Sequence, residues 1–347
     1  MKLYEFIIQP CSPFGTPLKG DTLFGHFCWQ AQHNPSLLNG GLDNWIAIYD
    51  EKPFAVFSSA WPKVSSGKDC PFYALKRPDL PLFWLFHEEG LDRKTILKDR
   101  KQKAGRKWFK VPENLEICLR EENFLTDAEL ANLVYDDLTQ DVKRVMRGRK
   151  KPKFKIDYLQ PHNTINRRTM TTGEGMFSPY SSSSVCYYPQ TELALFILID
   201  EEATDLERVH AALEQIGRLG FGRDASTGQG RFDLAEAEEK ELSNCSDSNA
   251  LYTLAPAVPE RKSYIGCYFT PFTRYGKHGD LLATSRNPFK NPVVMADEGA
   301  VFLPKDMKSF NKPYLGRAIR NISKSEHRTV AQGYAPCLPF KLEKNHE

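Results

Sequence analysis

The sequence predicts an α+β fold with two domains. Its 347 residues are enough for two ordinary domains, each with a sizeable hydrophobic core. Residues 1–240 alternate strand-type and helix-type apolar patterns, whereas residues 245–347 hold short strand-type segments among many prolines and glycines. We therefore expect an N-terminal α+β domain over the first range and a β-rich C-terminal domain over the second. The acidic, polar segment Glu236–Asn249 between them has the composition of a linker.

The chain begins with the pattern of a strand, a loop and a helix. Leu3–Gln9 alternates apolar and polar residues, which is typical of a half-buried strand. After a loop broken by prolines, a helix is predicted from apolar residues that share one stripe: Leu23, Phe24, Phe27, Cys28 and Ala31. Two short apolar segments, Pro53–Ala60 and Leu82–Phe86, predict further strands.

The polar residues at the start of this helix have two interpretations. Lys19 is a candidate phosphate contact, and Thr22, three residues further on, is a candidate contact beside it. Short polar residues at the start of a helix are also commonly caps, so a purely structural role remains open for Asp21 and Thr22.

The middle of the chain carries one clear helix signal. Thr126 and Glu129 form a capping box ahead of a helix predicted over Asp127–Met146. Further on, the serine-rich stretch Tyr180–Ser184 predicts a turn or a flexible tip.

The second half of the N-terminal domain repeats the strand and helix pattern. The apolar run Leu193–Ile199 has the length of a fully buried central strand. A helix follows, with a capping box of Thr204 and Glu207 and an end at Gly217, and Arg231–Ala235 predicts the returning strand. The resulting order is that of a βαββαβ, ferredoxin-like unit, with helices on one face of an antiparallel sheet, which is a scaffold shared with RNA-recognition folds.

A long basic insertion, at about residues 90–180, separates the second and third predicted strands. Arg93–Lys110 mixes basic residues with Trp108 and Phe109, which suits a surface that follows a nucleic-acid backbone or, alternatively, a solvated charged loop. The run Arg147–Lys155 is too basic to bury itself and either stays solvated or binds a polyanion. The predicted RNA contacts of the insertion are Arg147, Arg149, Lys150, Lys151, Lys153, Asn163, Arg167 and Arg168.

The segment Gly217–Phe232 is the most unusual stretch of the chain, because five glycines and three arginines fall within sixteen residues. Glycines allow positive φ and close approach, so such a loop can aim its N–H groups at phosphate oxygens while arginines add charged hydrogen bonds. The alternative is a glycine-rich hairpin connection that binds nothing. The candidate contacts are Gly220, Gly222, Arg223, Ser226, Thr227, Gly228, Gly230 and Arg231.

Several function classes find little support in the sequence. The glycines complete neither a dinucleotide-binding G-x-G-x-x-G nor a P-loop, so a mononucleotide cofactor is not indicated. The eight cysteines form no C-x-x-C pair and no cluster with histidines, which argues against a zinc module and favours reduced thiols. No window has the length and hydropathy of a membrane span, and we expect a cytoplasmic protein. The net charge is only +3, so an RNA surface requires an uneven distribution of charge.

Four segments together resemble a known family. They are KGDTLFGHFCW from Lys19, HNTINRRT with the following GEGMF from His162, GFGRDASTGQGRF from Gly220, and KNPVVMADEGAVF from Lys290. In this order the chain resembles the RAMP superfamily of CRISPR effector subunits, and within it the subunit of type III-A (Csm) complexes that binds the 5′ tag of the crRNA. The match spans most of the chain, and the combination is more specific than the glycine-rich loop alone.

The resemblance implies two ferredoxin-like halves, no cofactor and a non-catalytic role. It implies that the subunit caps the crRNA 5′ tag and anchors both the large polymerase-like signalling subunit and the first backbone RAMP subunit, meeting target RNA only indirectly. By position, the glycine-rich loop would be the family's RNA contact. Asn163, Ile165, Arg167 and Arg168 would belong to an inserted thumb that wedges between nucleotides of the guide.

The rival class is a RAMP-type endoribonuclease that processes repeat RNA without a metal. Such cleavage needs a general base and acid near the 2′-hydroxyl, for which His26, His33 and His162 are the candidates. Asp136 and Asp137 lie about 100° apart around a helix and so do not both face one metal ion. The sequence therefore favours a binding and assembly subunit over an enzyme.

Overall fold

The computed structural model describes residues 1–65, 70–86, 93–147, 153–242 and 247–343. The strands are β1 (Lys2–Pro10), β2 (Ala55–Val64), β3 (Phe72–Lys76), β4 (Arg106–Pro112), β5 (Phe124–Thr126), β6 (Lys155–His162), β7 (Tyr180–Tyr187), β8 (Glu192–Ile199), β9 (Phe232–Leu234), β10 (Glu238–Lys240), β11 (Ala250–Thr253), β12 (Tyr264–Tyr268), β13 (Pro271–Arg274), β14 (Val293–Ala296), β15 (Val301–Pro304), β16 (Tyr314–Gly316) and β17 (Tyr334–Phe340). The α-helices are α1 (Gly20–His33), α2 (Leu42–Ala47), α3 (Leu82–Leu85), α4 (Arg93–Gly105), α5 (Asp127–Asp137), α6 (Gln140–Val145) and α7 (Leu206–Leu219).

The main sheet is antiparallel and has the order β10-β1-β8-β2-β3-β4-β5, with β9 also pairing with β1. The part from β10 and β9 to β2 has the strand order of a βαββαβ unit, and α1 and α7 pack side by side. The predicted central strand is β8, which is buried along its length after Glu192. Because β1 is buried on both faces rather than one, the alternation of Leu3–Gln9 understated its burial.

The insertion is more regular than its composition predicted. Most of Arg93–Lys110 forms α4 and the start of β4, and β3, β4 and β5 extend the main sheet. The predicted strand Leu82–Phe86 is wrong, since the four residues after Pro81 form the single helical turn α3. The predicted tip Tyr180–Ser184 is also wrong, because these residues pair with the end of β6.

Helix boundaries differ from the prediction at the end of α5 and at the start of α7. The capping box of Thr126 and Glu129 is present, but the helix ends early because Leu138 takes an extended conformation and buries its side chain. At α7 the cap is Asp205, which accepts a hydrogen bond from the backbone N–H of Arg208. Thr204 instead donates its hydroxyl to the carbonyl of Leu37 inside the core, so its predicted capping role is wrong.

The C-terminal half is rich in strands. It contains a five-stranded sheet with the order β12-β15-β11-β17-β16 and the separate hairpin β13-β14. Its described residues, 247–343, hold 3-10 turns but no α-helix, so they lack the helix pair of a βαββαβ unit. The predicted linker Glu236–Asn249 contributes β10 to the main sheet before the C-terminal half begins.

A bulge in β2 joins the two halves of the molecule. Its pairing with β8 shifts between Phe57 and Ala60, which leaves backbone groups of the bulge without sheet partners. The side chain of Gln332, fully buried in the C-terminal half, bonds both the N–H and the carbonyl of Phe57 at 2.9 and 2.8 Å. The N–H of Ser59 donates to the carbonyl of Leu254. The halves therefore share backbone-directed hydrogen bonds inside a common core.

Within the described ranges, no helix is long and apolar enough to cross a membrane. The cysteines of those same ranges are free thiols.

Two helical glycines provide a matched test of this packing. A Cβ on Gly217 would meet the carbonyl oxygen of Phe232 at 2.2 Å, whereas a Cβ on Gly25 would have no atom within 4 Å. We expect Gly217→Ala to lower the free energy of unfolding by about 1–3 kcal/mol because β9 must move. Gly25→Ala should leave it unchanged or raise it by up to about 1 kcal/mol, since alanine favours a helix.

Urea denaturation of both variants measures the difference. Equal effects of the two substitutions would contradict the close approach of α7 to β9.

Candidate nucleic-acid interface

The glycine-rich loop, Gly217–Phe232, is held in place by its own backbone. Phe221 donates its N–H to the carbonyl of Gly230 at 2.9 Å, and Gly230 donates to Pro13 at 2.8 Å. A Cβ on Gly230 would lie 2.1 Å from the carbonyl oxygen of Phe221, and one on Gly220 would lie 2.5 Å from that of Gln229. These glycines permit close packing within the chain. The sequence-based picture of a loop of bare amides is therefore corrected for most of its length.

Three further amides of the loop are taken by neighbouring side chains. The N–H groups of Gly222, Arg223 and Arg231 donate to His26 Nε2 at 3.2 Å, Thr16 Oγ1 at 2.9 Å and Ser12 Oγ at 2.8 Å. The loop is thus fastened to α1 and to the segment that precedes it.

The outer part of the loop remains available. The side chains of Arg223, Ser226, Thr227 and Arg231 are at least partly exposed. Gly228 has φ +93 and no atom within 4 Å of its Cβ position, so a ligand can approach it closely. The backbone N–H groups of residues 224–226 have no hydrogen-bond acceptor among the described residues. The possible ligand-binding part is therefore the short turn over residues 223–228 together with Arg231.

The loop lies against a two-stranded hairpin formed by β6 and β7. Arg223 donates from its guanidinium to the carbonyl of Ser183. Gln229 is buried between the two elements, where it accepts from Ser184 Oγ at 2.7 Å and donates to Gln160 Oε1 at 3.3 Å. The structure therefore brings the glycine-rich loop and the predicted thumb together into one surface.

The tip of the hairpin, residues 163–179, presents cations beside apolar side chains. Asn166 organises it, because its side chain accepts the N–H of Arg168 at 3.0 Å and its carbonyl accepts that of Met170 at 2.7 Å. Asn163, Arg167 and Arg168 are exposed. So are Ile165, at 57%, and Met170, at 76%. This combination suits binding to a flexible polyanion with planar, apolar bases.

The basic run before the hairpin is only partly described. Arg147 is exposed with φ +53 at the end of α6, and Lys153 is exposed just before β6. Arg149, Lys150 and Lys151 lie outside the described residues.

Lys19 is occupied by partners within the chain. Its ammonium group forms ion pairs with Asp297 and, at 2.8 Å, with Glu298, and it lies 4.4 Å from the centre of the Phe272 ring. Burial alone would lower the pKa of Lys19, but these two carboxylates raise it above its usual value. Its side chain is only 12% exposed, so its position argues against a phosphate contact. Thr22 is half-buried in the first turn of α1.

The neighbouring Asp21 is not a cap. It accepts two hydrogen bonds, at 2.5 and 2.8 Å, from the guanidinium of Arg274 in β13. The start of α1 thus contacts the C-terminal half through both Lys19 and Asp21.

His26 supports the loop, a role that the sequence did not reveal. Burial, with a smaller contribution from the positive charge of Lys290, lowers its pKa to about 4, so the ring is neutral at pH 7 and can accept the N–H of Gly222. The ring also packs on Phe221 with the centroids 4.7 Å apart. His33, by contrast, pairs with Asp280, and His162 bonds Ser182 at 2.8 Å. The three histidines thus have separate partners.

Within the described residues, no group of three or more histidine, cysteine, aspartate or glutamate side chains could hold a metal ion.

Comparison with solved structures identifies the fold. A chain of the Csm1–Csm4 cassette in complex with pppApA matches with TM-score 0.55 and 16% identity, covering 99% of this chain and 100% of that one. A chain of the same cassette with cA4 gives TM-score 0.56 and 15% identity at the same coverage. A chain of the Csm3–Csm4 subcomplex of the type III-A CRISPR-Cas interference complex gives TM-score 0.53 and 14% identity, covering 98% and 100%.

Csm4 is the component that these complexes share, and the chain has a Csm4-like fold over its full length. No protein-family model and no curated protein matches the sequence.

The support from His26 predicts a pH dependence. Its pKa is lowered from 6.5 in the unfolded chain to about 4 in the fold, so protonation favours unfolding. Its contribution to stability is complete above about pH 6.5 and is lost as the pH falls towards 4, with a total on the order of 3 kcal/mol. His26→Gln, which keeps an acceptor that does not titrate, should flatten the decline of the free energy of unfolding between pH 7 and 4.

The control is His33→Gln on the same helix, whose ring is about half exposed, pairs with Asp280 and stacks with Trp29. Denaturant unfolding across this pH range measures the slopes. A slope in His26→Gln equal to that of the unsubstituted protein would contradict the buried acceptor.

Proposed function

We propose that this chain is a Csm4-like RAMP subunit of a type III CRISPR ribonucleoprotein that binds the 5′ tag of the crRNA. The observation that carries the proposal is the joining of the glycine-rich loop and the β6–β7 hairpin through Arg223 and Gln229. These two segments are far apart in sequence, and the composition of each one separately predicts RNA contacts. The full-length similarity of fold to chains from Csm4-containing complexes supports the same role.

The chemistry of this surface suits single-stranded RNA. Exposed Arg167, Arg168 and Arg231 supply charge-assisted hydrogen bonds to phosphates without reading sequence. Exposed Ile165 and Met170 at the hairpin tip supply apolar contacts to base faces. The tip of the hairpin would then separate neighbouring nucleotides. The turn over residues 223–228 would hold the RNA backbone where the glycine-rich loop meets the hairpin.

The partners follow from the complexes with which the fold was compared. Those complexes contain Csm1 or Csm3 beside Csm4. We infer that this chain anchors a large polymerase-like subunit and the first backbone RAMP subunit, and that it meets target RNA only through the guide. A cytoplasmic location is part of this proposal. So is a ferredoxin-like C-terminal half, whose sheet would include β11, β15 and β17.

We further propose that the chain does not catalyse RNA cleavage. A general base must be able to reach the 2′-hydroxyl, but the ring of His26 is buried against Phe221 and accepts the N–H of Gly222. Purified protein incubated with its own repeat RNA should leave the RNA intact, as judged on a denaturing gel. Discrete products that disappear in a His162→Ala variant would support the ribonuclease alternative instead.

The RNA contacts are tested by removing two charges from the hairpin tip. Arg167→Ala/Arg168→Ala should weaken binding to a single-stranded RNA carrying the 5′ tag by about five- to tenfold. It should also reduce the slope of log Kd against log salt by about 0.7 for each phosphate that the protein no longer neutralises. Filter binding from 50 to 300 mM salt, at about six concentrations, gives both quantities.

The matched control removes two cations at the other end of α7. Lys52→Ala/Arg208→Ala changes the net charge equally. Lys52 pairs with Asp200 and Glu202 just before α7, and Arg208 lies in the first turn of this 14-residue helix, about 20 Å from the loop at its end. Affinity and slope should match those of the unsubstituted protein. Equal losses in both double variants would indicate a general charge effect and exclude a specific role of Arg167 and Arg168.

A further inference from the structure

A second site lies beside the base of the β6–β7 hairpin. There the structure has a cleft of about 340 Å³, within the range of small-ligand pockets. We call it the basic cleft and define it by Trp61, Arg77, Lys107, Trp108, Lys155 and Tyr187. Its walls come from β2, β4, the first residue of β6 and the end of β7, so it adjoins the hairpin but is distinct from the glycine-rich loop.

The cations of the cleft fall into two groups. The deep ones have partners within the chain: Lys76 bonds Asp79 and the carbonyl of Glu298, and Arg77 donates to backbone carbonyls at the end of α4. The outer ones are freer. Lys107 is 67% exposed and lies 4.0 Å from Asp127, and exposed Lys155 has no carboxylate at ion-pair distance among the described residues. Two exposed cations thus stand where a phosphate could reach them.

Aromatic rings form the wall between these cations and the floor. Trp108 is fixed by a 2.7 Å hydrogen bond from its indole N–H to Asp127, and the ammonium of Lys155 lies 5.7 Å from its ring centre. Tyr187 packs against Phe154 on the inner side. Burial raises the pKa of the Tyr187 hydroxyl, so it stays protonated, and it has no hydrogen-bond partner among the described residues.

The floor offers hydrogen-bond acceptors. The carboxylate of Glu298 lies at the bottom of the cleft, where it pairs with Lys19 at 2.8 Å and contacts Ser59 Oγ at 3.4 Å. A carboxylate with remaining lone pairs can accept hydrogen bonds from an amino group. An apolar aromatic wall, a polar floor and two cations at the mouth match the three parts of a nucleotide.

We propose that the basic cleft binds one nucleotide, with its base against Trp108 and Tyr187 and its phosphate near Lys107 and Lys155. Because the Glu298 carboxylate at the floor can accept a hydrogen bond, bases with an exocyclic amino group, adenine, cytosine or guanine, are favoured over uracil. The inference rests on the proposed function where the nucleotide belongs to the bound RNA. A free mononucleotide has the same chemistry, and the two sources are separated by experiment.

The test fills the cleft without touching its charges. Ala60, partly exposed in β2, lines the cleft, so Ala60→Leu should occupy the space of the base. Ala211→Leu, at an exposed position of α7, adds the same side chain elsewhere. Urea denaturation of both variants verifies that they fold, and Lys107→Ala/Lys155→Ala provides a second variant that removes only the outer cations.

The RNA arm uses tag RNAs in which one base at a time is removed. With the unsubstituted protein, one abasic position should weaken binding by about tenfold, as expected for the loss of one stacked base. Ala60→Leu should weaken binding of intact RNA by a similar factor. In that variant, removing the same base should not weaken RNA binding any further. The outer-cation variant should weaken binding of every RNA, and Ala211→Leu should bind as the unsubstituted protein does.

The mononucleotide arm measures binding of AMP, CMP, GMP and UMP by calorimetry. Binding of the first three that is lost in Ala60→Leu, without a sensitive abasic position, assigns the cleft to a free nucleotide. If these nucleotides bind but tag RNA does not, the proposed function fails and the cleft assignment stands. If tag RNA binds equally to both leucine variants and no mononucleotide binds, the cleft assignment is overturned while the proposed function stands.

Discussion

Ser58 and Ser59 occupy two positions of β2 opposite the single residue Phe196 of β8, and the resulting bulge determines how the molecule is assembled. Ser58 restores one missing ladder bond by accepting the N–H of Phe196 at 2.8 Å. The backbone of Phe57 and Ser59 turns to partners in the C-terminal half, and each of these groups would cost about 1–3 kcal/mol if left buried and unpaired. The same bend directs residues 59–62 into the wall of the basic cleft. One irregularity therefore joins the halves and shapes a binding surface.

The glycines of the glycine-rich loop have two different roles, close packing within the chain and access for a ligand. Four of them, Gly217, Gly220, Gly222 and Gly230, lie where a Cβ would be within 2.6 Å of another atom of the chain. They allow α7, β9, the loop and the segment around Thr16 to approach one another. Only Gly228 combines positive φ with open space in this loop. The loop is thus a rigid support that presents a short exposed turn, and its rigidity reduces the entropy lost when a ligand binds.

Several features that depend on neighbours in the chain could be predicted from the sequence. The buried run of β8, the capping box at Thr126 and the order of elements in the first half depend on neighbours in the chain, and they were predicted. The partners of Lys19, Asp297 and Glu298, could not be predicted from the sequence, because they are nearly 280 residues away and no periodicity reports such a contact. His26 was missed for the same reason, since its acceptor role depends on Gly222. The contact between the glycine-rich loop and the β6–β7 hairpin likewise could not be predicted, because it depends on the fold.

The fate of the charges explains how a chain with net charge +3 can present a basic surface. Two lysines with little exposure share one buried carboxylate: Lys63 and Lys240 both pair with fully buried Glu5, at 3.0 and 3.2 Å. Such pairs neutralise cations inside the fold, because an unpaired buried charge is costly. The cations of the hairpin tip, Arg167 and Arg168, have no such partner among the described residues and remain in solvent. Their charge is therefore available to a polyanion, whereas the charges of the interior lysines are neutralised within the fold.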